Sequence, residues 1–178
     1  SKLDVKVKSG GKKYSRYFAS GEVKSKLKVV NEVGKRNTGT RIKFWPGKKY
    51  FDTTKKSVSR LKHVLRAKAV LCSGLHVFFT EEANKEKTNW CYADGLKTYL
   101  AEELAGCELL PPEPFLESMK GDHEAAEWAV HWLPEAGELI TESYVNLVPT
   151  VQGGTHVNGL RLGLLEAMRE FCESRNLL

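Results

Sequence analysis

The chain has 178 residues and a net charge of +6, and 41% of its residues are hydrophobic. That apolar content is enough for a packed core and excludes a disordered chain. No apolar run reaches the roughly 20 residues that span a bilayer, and the start of the chain lacks the basic-then-apolar pattern of a secretory signal. We therefore expect a cytoplasmic protein with no membrane partner. The alternation typical of a strand begins within the first residues, so we also expect the N-terminus to lie inside a longer protein.

Charge is distributed unevenly along the chain. Residues 1–68 contain 21 Lys or Arg against 4 Asp or Glu, a net of +17, whereas residues 69–178 contain 7 against 18, a net of −11. A basic half attracts polyanions such as nucleic acid or nucleotide phosphates. Lysine dominates this half and is the less specific phosphate ligand. Charge alone therefore leaves a second interpretation open, a solubilising face beside an acidic neighbouring domain.

The first part of the chain predicts antiparallel strands. Apolar residues at 3, 5 and 7 alternate with charged ones, which is the period of a half-buried strand. Further strands are predicted at residues 14–19, 27–30 and 41–45, separated by glycine-containing turns. The pattern favours a meander with no helix to cover its apolar face. Because a sheet needs a second layer, part of this domain is expected to be missing from the chain.

Helices and strands then alternate. Apolar residues at helical spacing predict a helix that Ser57 or Thr54 caps and that ends near Ser73-Gly74. The proline-rich segment 111–114 is expected to break the chain. The predicted elements are a helix at 57–71, a hairpin of 75–80 with 89–92, a helix at 95–105, and strands at 115–119, 125–133 and 139–148.

A strong helix is predicted at residues 155–174, after a flexible break at Gly153-Gly154. Its N-terminus is either a hinge with Thr155 as the N-cap, or an anion site. On the helical wheel Arg161 falls in an apolar stripe, in line with Leu165, Met168 and Cys172. A charge at that position must pair, extend past the edge of the core, or face a water-filled space.

The sequence contains no complete catalytic motif. A phosphate-binding GxxxxGK[ST] loop, a GxGxxG run and a GxSxG elbow are all missing, and the cysteines lack zinc-ligand spacing. We expect all four cysteines to be half-buried reduced thiols, and we expect no metal site. One local feature stands out, Thr38-Gly39-Thr40 at the start of an apolar strand. Glycine allows close approach to a ligand and threonine can donate or accept a hydrogen bond, although the residues alone favour an ordinary strand entry over a ligand site.

Several segments together resemble the B subunits of bacterial type II DNA topoisomerases, over essentially the whole chain. The Gly-Gly-Thr-His run is common to the gyrase and topoisomerase IV branches, whereas Lys-Arg-Asn-Thr-Gly-Thr and Arg-Glu-Phe-Cys are typical of topoisomerase IV. The matching segments are Gly-Lys-Arg-Asn-Thr-Gly-Thr at 34–40, Phe-Trp-Pro at 44–46, residues 57–63, 66–72 and 139–147, Gly-Gly-Thr-His-Val-Asn-Gly-Leu-Arg at 153–161, and Ala-Met-Arg-Glu-Phe-Cys at 167–172.

The resemblance implies an α+β fold. Residues 1–94 resemble the C-terminal half of an ATPase domain of the gyrase, Hsp90, histidine-kinase and MutL (GHKL, or Bergerat) type. Residues 95–178 resemble the start of a transducer domain with the ribosomal S5 domain 2-like fold. Thr40 matches a threonine that contacts adenine through water, Ile42 a residue of the pocket wall, and Arg161 an arginine that faces a DNA-holding cavity. A gyrase arginine near the pocket mouth falls at Ser9, which cannot make the same contact.

The resemblance also implies cofactors and partners. ATP and Mg²⁺ would dimerise the intact subunit, which would act with the A subunit of topoisomerase IV on DNA. No catalytic residue is expected in this chain. The family's catalytic glutamate, its Mg²⁺-binding asparagine, its adenine-binding aspartate and its glycine-rich lid would precede Ser1, and a γ-phosphate lysine would follow Leu178.

The predicted function is thus part of an ATP-dependent decatenating or relaxing topoisomerase subunit. The alternatives are the B subunit of gyrase and, in another class, a non-enzymatic basic module that binds nucleic acid.

Overall fold

The computed structural model of the chain describes residues 1–134 and 140–177. It divides into two compact units, unit 1 at Ser1–Val58 and unit 2 at Ser59–Leu178. The boundary predicted between residues 94 and 95 separates two domains of a longer protein. The division of this chain into compact units does not test that domain boundary, so the boundary between residues 94 and 95 stays a prediction.

Unit 1 is an antiparallel sheet. Strand β1 lies between β2 and β5, and both β3 and β4 pair with the other edge of β2. The predicted meander is therefore wrong, since β5 returns to the far side of β1 instead of pairing with β4. The strands are β1 (Lys2–Ser9), β2 (Lys12–Ala19), β3 (Glu22–Val23), β4 (Lys28–Glu32) and β5 (Gly39–Trp45).

One face of this sheet is apolar and open. Leu3, Val5 and Val7 of β1 share that face with alternate residues of β2 and β5, because directly opposed residues of antiparallel strands point the same way. Ile42 is 62% exposed and Val29 54% exposed. Residues 1–57 contain strands and no helix, so no helix of unit 1 apart from the first residue of the next element covers this face.

Unit 2 begins with two helices around a hairpin. The only buried hydrophobic residues in the described part of the chain are Ala69 and Val70 of α1, Tyr92 after β7, and Leu104 at the end of α2. The observed bounds of the hairpin strands and of both helices agree with the predicted bounds to within two or three residues. The elements are α1 (Val58–Leu71), β6 (Val77–Glu81), β7 (Glu86–Trp90) and α2 (Leu96–Glu103).

Strands β8 (Leu110–Lys120) and β9 (Ala125–Trp132) form the next hairpin. The expectation that the prolines at 111–114 break the chain is wrong, because they lie inside β8. The register shifts between Leu110 and Phe115, so the prolines sit in an irregular stretch opposite His131. Proline has an extended φ but no N–H, which suits such a bulge better than a regular ladder.

The long strand predicted at residues 139–148 does not form in its described part. Leu139 lies outside the described residues, and the rest contains β10 (Tyr144–Val145) and β11 (Val148–Pro149). These two short strands are joined by Asn146 and Leu147, whose φ angles are 49° and 66°. Two consecutive positive φ angles make a turn of the type I′ kind, which reverses a chain that the apolar pattern alone would extend. The Lys68 ammonium donates to the Leu147 carbonyl and ties the turn to α1.

The last element is the long helix α3 (Thr155–Ser174), as predicted. Its N-cap residue is Gly154, without a side-chain cap, so the prediction of Thr155 as the N-cap is wrong. Gly153 has a φ of +71°, a conformation that glycine adopts readily. No helix in residues 1–134 and 140–177 has the length and hydropathy needed to cross a bilayer.

The four cysteines are free, as expected, but not all half-buried. Cys72 and Cys172 are half-buried, whereas Cys91 and Cys107 are exposed.

Candidate functional site

The Thr-Gly-Thr segment begins the edge strand β5. Gly39 has a φ of +148°, and a Cβ placed there would meet nothing within 4 Å. Glycine is therefore required by the backbone angle and not by a close neighbour. Thr40 lies opposite Val7 of β1 and Ile42 lies opposite Val5, so both side chains are on the apolar face of the sheet.

Both predicted pocket residues are solvent-exposed on this open face. The Thr40 hydroxyl can donate and accept a hydrogen bond, and the Ile42 side chain provides an aliphatic wall two residues further along. Phe44 continues the same row and packs edge-on against Phe51, with ring centroids 6.0 Å apart. A hydroxyl beside an aliphatic surface can bind the edge and the face of a flat heterocycle.

Ser9 lies at the end of β1, opposite Lys12. It is exposed, and its short hydroxymethyl side chain has neither the length nor the charge of an arginine. The structure therefore gives no replacement for an arginine contact at this position.

Arg161 lies in the second turn of α3, in unit 2. It is exposed, and its neighbours along the stripe are exposed as well, Leu165 by 45% and Met168 by 53%. Cys172 of the same stripe is half-buried, as are Val157, Leu160 and Leu164 on the adjoining part of the helix. Arg161 is itself exposed, so its guanidinium is available to an anion.

The segment before α3 is held by short-range hydrogen bonds. Ser143 and Thr150 bond through their hydroxyl oxygens at 2.6 Å, and the Thr150 backbone N–H donates to the Ser143 carbonyl at 2.8 Å. Thr150 Oγ1 also lies 3.3 Å from His156 Nε2, in the first turn of the helix. These contacts position the Gly153-Gly154 turn and the start of α3.

Unit 2 contains a half-buried cluster around Arg66 that was not predicted from the sequence. Arg66 donates from Nε to the Tyr92 hydroxyl at 2.9 Å, from Nη2 to Glu102 at 2.8 Å and from Nη1 to Glu103 at 2.5 Å. Its guanidinium lies 4.8 Å from the Tyr99 ring centroid. Burial alone would raise the pKa of Glu102, but hydrogen bonds from Tyr92 and Arg66 outweigh it and lower that pKa. The cluster joins α1 to α2, and no local sequence pattern signals it because the partners of Arg66 are 26 to 37 residues away from it in the chain.

A second polar contact joins α2 to the β10 strand. Glu142 accepts hydrogen bonds from Tyr99 at 2.9 Å and from Tyr144 at 2.8 Å. Burial, followed by the hydrogen bond to Glu142 and its negative charge, raises the pKa of both phenols well above the usual value near 10. Both tyrosines therefore stay neutral donors throughout the physiological range.

No group of three or more His, Cys, Asp or Glu side chains that could hold a metal ion occurs in the described residues. The Thr40 hydroxyl and the Ile42 side chain on the open face of unit 1 suit the base of a nucleotide better than a metal ion, whose preferred ligands are carboxylate and carbonyl oxygens.

A protein-family model described as DNA gyrase B matches residues 79–178. The chain belongs to the DNA gyrase B family. Within it, the chain is 56% identical over 177 residues to the B subunit of DNA topoisomerase 4 from Escherichia coli (strain K12), covering 99% of the chain. It is 57% identical over 178 residues to the same subunit of Pseudomonas aeruginosa, covering 100% of the chain. The chain spans 28% of the length of each of these relatives.

A solved structure of the topoisomerase IV ATP-binding domain of Francisella tularensis, in complex with a small-molecule inhibitor, has the same fold. It aligns with a TM-score of 0.80 and 38% identity, over 97% of this chain and 46% of that domain. The predicted α+β class and the ATPase-domain fold of the DNA gyrase B family are thereby confirmed, as is the resemblance to the topoisomerase IV branch.

Proposed function

We propose that this chain is a segment of the ATP-operated B subunit of a topoisomerase IV, a type II DNA topoisomerase that decatenates or relaxes DNA. The observation that carries the proposal is the identity of 57% with the B subunit of a topoisomerase 4 over all 178 residues. The match runs through both the +17 half and the −11 half of the chain. A general basic module would need to retain only the first of these.

Within this proposal, residues 1–94 form the C-terminal half of the ATPase domain, and Thr40 and Ile42 line the adenine end of the nucleotide pocket. This role is supported by the position of the Thr40 and Ile42 side chains on the same open face of unit 1. When bound, ATP with Mg²⁺ supplies the free energy and the dimer contact that close the subunit around DNA. The residues of this chain orient the base, through the Thr40 hydroxyl and the Ile42 side chain.

Residues 95–178 form the first part of the transducer domain, and Arg161 faces the DNA held in the closed clamp. The support is that Arg161 is exposed on α3 with no covering core. The A subunit of topoisomerase IV and a second copy of the B subunit are the proposed protein partners, in the cytoplasm.

The test is a reconstitution of the full-length B subunit with its A subunit on interlinked circular DNA. We expect ATP-dependent decatenation, and no negative supercoiling of relaxed plasmid. Supercoiling would assign the chain to gyrase, and the absence of any strand passage would overturn the topoisomerase assignment.

The 178-residue chain serves as the control in that reconstitution. A threonine hydroxyl and an isoleucine side chain take up no proton at neutral pH, so the proposed pocket wall provides no general base. We expect no ATP turnover above background from the chain alone. Measurable turnover would contradict the assignment of the catalytic groups to other parts of the subunit.

A further inference from the structure

The two faces of the unit 1 sheet differ sharply in charge. The strand register places Thr40 and Ile42 on the apolar face and the charged residues of β1 and β5 on the other. We call this other side the basic face. It is defined by Lys2, Lys6 and Lys8 of β1, Lys13 of β2, Lys28 of β4, and Arg41 and Lys43 of β5.

The acidic residues on the same side of these strands are already paired. Asp4 Oδ2 lies 3.4 Å from Lys6 Nζ, and Glu22 Oε2 lies 2.5 Å from Lys24 Nζ. Asp4 stands among seven basic residues, and Glu22 is neutralised by a lysine outside the set. The basic face therefore keeps a large excess of positive charge.

The arrangement of these charges destabilises the sheet, because like charges lie opposite one another on paired strands. Lys6 is directly opposite Arg41, and Lys8 is directly opposite Lys13. Like charges in opposed positions destabilise a sheet, by roughly 0.2–1 kcal/mol a pair. A sheet selected for stability alone would alternate the signs across the strands. Violations of local stability rules are expected at functional or strained sites, and a polyanion would relieve this conflict.

The dimensions and residue types fit a nucleic acid duplex. From Lys2 to Lys8, β1 spans about 20 Å at roughly 3.3 Å per residue, and duplex DNA carries one phosphate charge per about 1.7 Å of axis. Lysine ammonium groups act as flexible point charges that neutralise phosphates without reading bases. Single-strand sites use rows of stacking aromatics, whereas the aromatic side chains here are an exposed Trp45 opposite Lys2 and a half-buried Tyr17 opposite Asp4.

We propose that the basic face binds the phosphate backbone of duplex DNA without sequence preference. This surface is on the side of the sheet opposite Thr40 and Ile42 and in a different unit from Arg161. The proposal therefore does not depend on the roles assigned to Thr40, Ile42 or Arg161.

The experiment measures binding of the 178-residue chain to a fluorescein-labelled 20-base-pair duplex by anisotropy, between 50 and 200 mM salt. About five phosphate contacts give a slope of about −4.5 in log K against log[salt], or a loss of affinity of about 500-fold over this range. The test variant combines Lys6→Gln, Lys13→Gln and Arg41→Gln, which breaks both opposed like-charge pairs. We expect its slope to be shallower by about 3 and its affinity at 50 mM salt to fall by at least about tenfold.

A matched control removes the same charge elsewhere in unit 1, with Lys48→Gln, Lys55→Gln and Lys56→Gln. These lysines are exposed and lie after β5, outside the basic face. We expect the control to keep most of the affinity and slope. Equal losses in the two variants would mean attraction by net charge alone and would overturn the proposal. So would salt-independent binding, binding only to single strands, or binding only to vesicles of anionic phospholipid.

A second readout guards against misfolding of the test variant. Because the substitutions remove like-charge repulsion, its thermal midpoint should equal or exceed that of the parent chain. A lower midpoint would show that these residues stabilise the sheet, and would also count against a binding role.

Discussion

Arg66→Met is expected to be the most destabilising single substitution of a charged residue in unit 2. The methionine keeps much of the apolar stem but removes three hydrogen bonds, to Tyr92, Glu102 and Glu103. It also leaves two neighbouring carboxylates without their shared cation. Hydrogen bonds to charged groups contribute about 1.5–3 kcal/mol each when buried, and this cluster is partly solvated. We therefore expect a total loss of about 2–3 kcal/mol.

The measurement is urea unfolding followed by circular dichroism at 222 nm. All helices of the described residues lie in unit 2 apart from the first residue of α1, so the signal reports on that unit. The midpoint should fall by about 1–1.5 M for an m-value of about 2 kcal/mol/M. Lys87→Ala, at an exposed position of β7, is the matched control and should change stability by no more than about 0.5 kcal/mol. A similar midpoint in the two variants would show that the Arg66 cluster contributes nothing to stability.

Arg66→Lys separates charge from geometry in the same assay. A lysine retains the positive charge but cannot reach three acceptors in the planar fork of a guanidinium. Its expected stability lies between those of the parent chain and Arg66→Met. Full recovery would mean that charge alone holds the cluster.

Local periodicity predicted the elements well and their pairing less well. The alternation in β1 and the helical stripes of α1 and α3 depend on nearest neighbours, and the structure places these elements within a few residues of the prediction. The pairing of β5 with β1 depends on a contact between residues more than 30 positions apart. The expectation of a meander came from the general preference for pairing consecutive strands, and long-range packing overrode it.

The errors at residues 111–114 and 139–148 have a different origin. Prolines predict a break because they lack an N–H, yet their φ is compatible with an extended strand when the ladder contains a bulge. At Asn146 and Leu147 the backbone turns through two positive φ angles. Leucine rarely adopts this conformation, so its presence in the turn could not be read from residue preference.

The candidate site was accessible from the sequence only through resemblance. A threonine and an isoleucine two residues apart are typical of any edge strand, and physical reasoning favoured no ligand there. The basic face shows the opposite case. Its charge was visible in the count for residues 1–68, but its concentration on one side of the sheet follows from the register, in which Lys6 meets Arg41.

Arg161→Ala is expected to uncouple DNA from ATP hydrolysis in the full-length subunit. Arg161 is exposed on α3, and Leu165 beside it is 45% exposed, so the substitution removes no core packing. Loss of one guanidinium–phosphate contact worth about 1.4 kcal/mol corresponds to about tenfold weaker coupling. The DNA-stimulated ATPase rate should fall about tenfold, with a much smaller change in the rate measured without DNA.

Arg169→Ala is the matched control for this prediction. It removes a cation from the same helix at an exposed position eight residues further on, about 80° around the helix from Arg161. We expect its DNA stimulation to stay near that of the parent subunit. If Arg161→Ala lowered the rates with and without DNA by the same factor, Arg161 would act through folding or packing. A decrease of equal size in both variants would instead assign the effect to the general charge of α3. Only a selective loss at Arg161 places its guanidinium against DNA, because the two variants lose the same charge from exposed positions of the same helix.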